Sequence, residues 1–264
     1  MTIWEYLQQY YTKKTAVAYL REINNYLANN TNPTTYTYAE IVQYIGVLRT
    51  RYSNPKTLSR ILSSIKAYYN YLCLMEIRQD NPSKSVLLRD KQNRDIQLQD
   101  LFTSQELERL LTAKKERYFM LDYRNKVLMS LLIYQALKPN EIESLTIDEI
   151  NLEQATIYIK PSSKTNSRTL ELKASQILLF KKYVEEIRPK LLVKSKTELT
   201  HNQINAFVIG QRSEPMTAED ITKHIKRNYD IYKPRRINAL TIRQSVITNL
   251  PIINSSNSLI LKIS

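Results

Sequence analysis

The sequence predicts a mainly α-helical protein with one small antiparallel β-sheet, and three observations carry that expectation. Apolar residues recur at the i, i+3, i+4, i+7 spacing of helices along most of the chain. One stretch, residues 155–173, alternates instead with the two-residue period of strands around a polar turn. Only two glycines, Gly46 and Gly210, occur in 264 residues. A dinucleotide-binding fingerprint or a Walker-type phosphate loop needs several glycines in one turn, so neither can be built. The length fits two domains, each large enough to bury a core.

The helices follow in order. Residues 15–29 place Val17, Leu20, Ile23 and Leu27 on one face, and the Asn-Asn-Thr-Asn-Pro run at 29–33 ends the pattern. Residues 38–52 carry the stripe Ile41, Tyr44, Ile45 and Leu48. After the break at Ser53-Asn54-Pro55 comes the clearest helix, 56–74, with Leu58, Ile61, Leu62, Ile65, Tyr69 and Leu72 on one side and Lys56, Arg60 and Ser63 on the other. These elements predict a helical bundle over residues 1–80. Residues 81–100 are polar, charged and without period, which reads as a linker. A second domain is expected over 101–264. It opens with Thr103 three residues before Glu106, a capping box ahead of Leu107, Leu110 and Leu111. An apolar helix at 122–136 and a short helix from Pro139 to Leu145 come next. A hairpin then pairs 155–160 with 168–173 and carries Lys164 near its tip. A helix at 175–187 is expected to stop before Pro189, 206–210 reads as a strand, 217–229 as a helix capped by Thr217, and a last helix starts near Leu240.

The charge points to a polyanionic partner. Lys and Arg number 39 against 25 Asp and Glu, a net charge of +14. Both halves are basic, so this is no neutral domain with a charged tail. Residues 49–66 hold Arg49, Arg51, Lys56, Arg60 and Lys66 with no acid, and 221–243 hold seven basic residues opposed only by Asp230. Such clusters are the electrostatic footprint of phosphate contact, with double-stranded DNA the expected partner. A basic surface that merely meets solvent is the other reading.

Several classes are disfavoured. The single cysteine, Cys73, makes no disulfide framework, and the two histidines, His201 and His224, are too far apart in sequence to form a helical metal pair, so no metal or other cofactor is expected. The first residues lack the pattern of a secretory signal, and the charge-free apolar run 127–137 is too short to span a bilayer. No membrane association and a cytoplasmic location are the resulting expectations.

The order of these elements resembles the tyrosine recombinases, the phage-integrase family, over nearly the whole chain. The stretch 131–145, Leu-Leu-Ile-Tyr-Gln-Ala-Leu-Lys-Pro-Asn-Glu-Ile-Glu-Ser-Leu, is similar to the family segment in which an apolar helix leads to Gly-Leu-Arg and then to Glu-Leu or Glu-Ile. The Asp-Glu-Ile-Asn stretch at 148–151 with the hairpin after it matches as well. The stretch 240–248, Leu-Thr-Ile-Arg-Gln-Ser-Val-Ile-Thr, resembles the His-x-x-Arg box that opens a helix. The first eighty residues, with Tyr-Leu-Arg-Glu-Ile-Asn-Asn-Tyr at 19–26 and Thr-Leu-Ser-Arg-Ile-Leu at 57–62, look like the core-binding, SAM-like bundle of that family, and 101–264 like its catalytic-type domain.

The resemblance implies a chemistry. A tyrosine hydroxyl attacks a DNA phosphodiester, forming a 3′-phosphotyrosyl bond and freeing a 5′-hydroxyl, and the stored bond energy lets the reverse step rejoin the strand. Arginines stabilise the charge on the phosphate oxygens, and a hairpin lysine protonates the leaving oxygen. Carried over position by position, Arg243 matches the second arginine and Lys164 the hairpin lysine. Lys138 stands in place of the first arginine, keeping the charge without the planar fork. Leu240 occupies the histidine position. No tyrosine follows Arg243, since the last ones are Tyr229 and Tyr232, so no nucleophile is assigned. The residues from Pro251 onward do not match the family, which reads as a truncated or frame-shifted member, incomplete at its C-terminus. The DNA-contacting candidates are Lys56, Arg60, Lys66, Arg235 and Arg236.

Three readings stay open on sequence grounds. The chain is a DNA-binding member that does not cleave by itself, an active recombinase using a tyrosine donated in trans, or a basic helical RNA-binding protein. A homo-oligomer, or a mixed oligomer with an intact recombinase, is compatible with the first two.

Overall fold

The computed structural model describes residues 1–89, 98–113, 115–162, 165–193, 198 and 200–250. The chain divides into two compact units, Met1–Asp95 and Ile96–Ser264.

Unit 1 is built from α1 (Ile3–Tyr10), α2 (Lys13–Ala28), α3 (Tyr38–Arg51) and α4 (Pro55–Leu74). The start of α4 follows from its sequence: Pro55 needs no hydrogen-bond acceptor in the first turn, and the Asn54 side chain accepts from Lys56 N–H at 2.9 Å. The predicted apolar stripe of α4 is buried throughout, from Leu58 to Leu72. Each such side chain contributes about 2 kcal/mol on leaving water. The core is unusually rich in tyrosine: Tyr26 and Tyr69 share a hydroxyl–hydroxyl hydrogen bond of 2.8 Å, and the Tyr69 hydroxyl donates to Pro33 O. A buried phenol needs such a partner. Burial pushes both phenols up, Tyr69 to about 12. Helix α1 escaped the sequence reading, although Thr2 and Glu5 form a complete capping box in front of it.

Unit 2 contains α5 (Ser104–Arg109), α6 (Phe119–Tyr134), α7 (Pro139–Glu143), β1 (Ile150–Asn151), β2 (Thr156–Ile159), β3 (Arg168–Glu171), α8 (Ala174–Lys182), α9 (Arg188–Leu192), α10 (His201–Asn205), α11 (Ala218–Asn228) and α12 (Ala239–Asn249). The three strands form one antiparallel sheet in the order β1-β2-β3, with Ile157 opposite both Ile150 and Leu170. The mainly helical fold with its small sheet is therefore as the periodicities require. Helix α6 is buried almost all round and forms the axis of the core, against which α12 and α8 pack. Gln135 and Gln176 exchange side-chain hydrogen bonds of 2.7 and 2.8 Å, and Gln135 also donates to Glu171 O, so the end of α6 is tied to both α8 and β3.

Two expectations are corrected. The helix begun at α8 does not stop before Pro189. It passes through a π-helical turn, Tyr183–Ile187, and continues as α9 with Pro189 in its first turn. Proline lacks an N–H and its ring crowds the carbonyl four residues back. The wider turn, in which Arg188 N–H reaches Tyr183 O, opens the room that ring needs. Residues 206–210 do not form a strand but only two isolated bridges, Thr146 to Ala206 and Ile209 to Pro215. The buried Arg188 guanidinium binds the carbonyls of Gln203, Ile204 and Ala206 and holds this segment from its side chain instead.

No helix among the described residues is long and apolar enough to cross a membrane.

Candidate functional site

The turn between α6 and α7, the start of β3 and the start of α12 bring four charged side chains together. Ala136 takes a positive φ of 51° to reverse the chain after α6. This aims its carbonyl at α12, where Arg243 Nη1 donates to it. Two residues further, Lys138 caps α7, and its N–H donates to Glu141 Oε2 at 2.8 Å. Glu141 in turn receives Arg168 from β3, with Nη2 2.9 Å from Oε2 and Nη1 2.9 Å from Oε1. Both side chains of this pair are almost out of water, 7 % exposed for Glu141 and 9 % for Arg168.

Burial pushes the Glu141 carboxyl up, but the Arg168 hydrogen bonds, the Lys138 N–H and the charges of Arg168 and Lys138 together hold it below the ordinary value. For Arg243, burial lowers the guanidinium pKa, the Glu141 charge opposes that, and Arg168 adds to it. The cluster thus sets three cations, Lys138, Arg168 and Arg243, against one carboxylate. Arg168 Nε is buried without an acceptor among the described residues. An excess of positive charge held in place before any ligand arrives suits a phosphate group, whose oxygens accept charge-assisted hydrogen bonds.

The sequence-derived candidates meet different fates. Arg243 and Lys138 lie in this cluster. Lys164 lies outside the described residues, and the hydrogen-bonded pair Ser162 and Thr165 flanks its position. Leu240, in the histidine position, is 63 % exposed at the start of α12. Lys56 and Arg236 are exposed cations. Arg60 is half committed: its Nη1 lies 2.7 Å from Glu22 Oε1, a carboxylate it shares with Arg21. Lys66 does not project as a free charge from the outer face of α4. Its ammonium donates to the carbonyls of Lys84 and Val86 at 3.1 and 2.9 Å and pins the chain leaving the bundle. Arg235 is likewise taken internally. It pairs with Glu106, donates to Leu101 O at 2.9 Å and stacks over the rings of Phe102 and Tyr232. That pairing, with Thr103, holds the Glu106 carboxyl down at about 2.

Sequence reading missed Glu141 and Arg168 as members of the cluster. A signal for Glu141 was present, since it stands three residues after Lys138, the N3 position of a helix opened by Pro139. None existed for Arg168, which is one basic residue among many. The tyrosines nearest the box in sequence are occupied elsewhere: Tyr229 is buried, and the Tyr232 hydroxyl donates to Glu106 O at 2.9 Å.

The arrangement is that of a helical integrase fold. Its backbone superimposes on the transposon Tn1549 integrase solved in complex with circular intermediate DNA with a TM-score of 0.69 at 14 % identity, covering 100 % of this chain and 91 % of that one. The lambda integrase fragment solved as a dimer on a core site gives a TM-score of 0.63 at 12 % identity, over 94 % and 89 % of the two chains. In sequence, the tyrosine recombinase XerD of Oceanobacillus iheyensis is 24 % identical over 243 residues, covering 89 % of this chain and 78 % of the relative. XerD of Staphylococcus saprophyticus is 25 % identical over 214 residues, 80 % and 68 % of the two. The model of the phage integrase family matches residues 100–257. The chain belongs to the phage integrase family, that of the tyrosine recombinases.

Proposed function

We propose that this chain binds duplex DNA and grips a backbone phosphate with Lys138 and Arg243, and that residues 1–264 do not cleave the strand by themselves. The observation that carries the reading is the cluster itself, three cations on one buried carboxylate, fixed by α7, β3 and α12. Arg168 acts as a positioning residue, because its terminal nitrogens are spent on Glu141. The DNA-bound integrases that share the fold support duplex DNA as the ligand. Against cleavage stand two substitutions at positions assigned by resemblance and the lack of a tyrosine in residues 244–264. Lys138 offers a point charge where a planar fork would clamp two oxygens. Leu240 can neither take nor give a proton. Residues 244–264 contain no tyrosine to attack the phosphorus.

The outer contacts fall to exposed cations whose side chains make no ion pair among the described residues, Lys56 on unit 1 and Arg236 on unit 2, with Arg60 contributing the part of its charge that Glu22 leaves. Assembly on DNA as a homo-oligomer, or with an intact recombinase that supplies the tyrosine, belongs to the same proposal, as does a cytoplasmic location. Fluorescence anisotropy with a short duplex tests it. Affinity should fall steeply from about 50 to 200 mM salt, as released counterions demand. An affinity that does not change over that range would remove the phosphate contacts on which the proposal rests.

A further inference from the structure

A cationic cavity that shares no residue with the Arg243 cluster lies between the start of α6, the 210–216 loop and one face of α11. Its volume is about 650 Å³. Arg124, Arg212, Lys223 and Arg227 line it, against the acids Glu214 and Asp220. We infer that this cavity binds the phosphate of a nucleotide unit, either a free nucleotide or one residue of a nucleic-acid strand.

Arg124 forms the buried part of the lining. It is only 6 % exposed, and all its protein acceptors are neutral: Nε donates to Asn125 Oδ1 at 2.9 Å, and Nη1 to Ile209 O and Met216 Sδ. Glu116 accepts from the Asn125 amide and acts on Arg124 through its charge, without a hydrogen bond to it. Nη2 has no protein acceptor among the described residues. A buried guanidinium without a carboxylate is costly unless something anionic reaches it.

The rest of the cavity supports the same ligand. Both lining acids are held by other groups: Glu214 accepts from Gln203 Nε2 at 3.1 Å, and Asp220, in the first turn of α11, accepts from the hydroxyl of the N-cap Thr217 at 2.7 Å. Lys223 is paired with Glu219 one turn earlier in the helix. Arg212 and Arg227 are exposed, and neither makes an ion pair among the described residues. Three guanidinium groups therefore line one cavity, none of them in an ion pair among the described residues, and guanidinium groups take phosphate through paired N–H···O bonds. The volume is larger than a lone phosphate needs and falls in the range of small-molecule sites, leaving space for a sugar and base.

Isothermal titration calorimetry of the full chain with adenosine 5′-monophosphate, and with adenosine as the phosphate-free control, tests the site. The variant R212A/R227A alters only exposed rim residues, so the fold is kept, and R124Q addresses the floor. The monophosphate should bind at least tenfold more tightly than adenosine, and the rim variant should lose about tenfold. The strand alternative rests on the DNA-binding reading above and has its own arm. If the phosphate belongs to a strand, the rim variant should lower duplex affinity and reduce its salt slope by about 1–2, and the monophosphate should compete with duplex. If it belongs to a free nucleotide, duplex affinity should stay as in the wild type. Monophosphate binding without any duplex binding would uphold this site and remove the DNA reading. Duplex binding untouched by the rim variant, with monophosphate bound no better than adenosine, would overturn the site and leave the DNA reading standing.

Discussion

Replacing Glu141 by Gln removes one charge from a cluster that depends on it. The side chain keeps its volume and one acceptor oxygen, so the Lys138 N–H can still be capped. Arg168, nearly buried, loses its counter-charge, and Lys138 and Arg243 lose the Glu141 charge that offsets them. Breaking a buried pair from one side costs about 3–5 kcal/mol when the partner is left charged. With one acceptor retained, about 2–3 kcal/mol is the expected loss. Urea denaturation measures it, with hydrogen exchange in β3 as the local readout. The double variant E141Q/R168M should recover at least about 1 kcal/mol relative to additivity, because the stranded cation is gone. The pH dependence has a fixed sign. The Glu141 carboxyl is held below its ordinary value of 4.5 in the folded chain. Its contribution is thus fully present above that value and fades as pH falls through the lower folded value. The gap between wild type and E141Q should narrow in the same acid range. Inorganic phosphate should stabilise E141Q more than the wild type, since the variant presents three cations and no carboxylate. A loss under about 0.5 kcal/mol, the scale of an ordinary surface substitution, would refute the account of the cluster.

Other substitutions separate structural charges from those proposed to contact DNA. K66M should destabilise unit 1 by about 1–3 kcal/mol, because two carbonyls lose their donor, and should leave the salt slope of duplex binding unchanged. Lys56→Ala and Arg236→Ala should do the reverse, each lowering the slope by about 0.9 with stability nearly unchanged. In Arg235→Ala the Glu106 carboxyl, held at about 2 in the wild type, should return toward ordinary carboxylate values when followed by NMR titration. K138R restores the planar fork beside Arg243 and should tighten duplex binding several-fold, about 1 kcal/mol, at constant salt.

What the sequence revealed depended on how far apart the interacting residues lie. The stripe of α4 is local, so its period marked the helix from Pro55 to Leu74 within a residue at its start. The Thr103–Glu106 box and the Thr217 cap were visible for the same reason. The roles of the charged residues were not, because their partners are remote. Lys66 reaches carbonyls 18 and 20 residues on, Arg168 meets Glu141 across 27, and Arg235 finds Glu106 across 129. A basic residue facing outward on a helical wheel can still be captured by a returning segment, and periodicity carries no information about that segment. Pro189 misled for a different reason. A proline ends a regular α-helix, but the π-helical turn before it changes the spacing of the backbone bonds and lets the helix pass. The family resemblance pointed to Arg243, whereas the Glu141–Arg168 pair beside it joins α7 to β3 across 27 residues.

We propose that residues 1–264 hold DNA without forming a covalent bond to it. The decisive test is a nicked duplex that traps any phosphotyrosyl intermediate, resolved in parallel on native and denaturing gels. A salt-sensitive shift on the native gel and no covalent adduct on the denaturing one are expected. An adduct mapping to a tyrosine within this chain, or the absence of any shift, would contradict it.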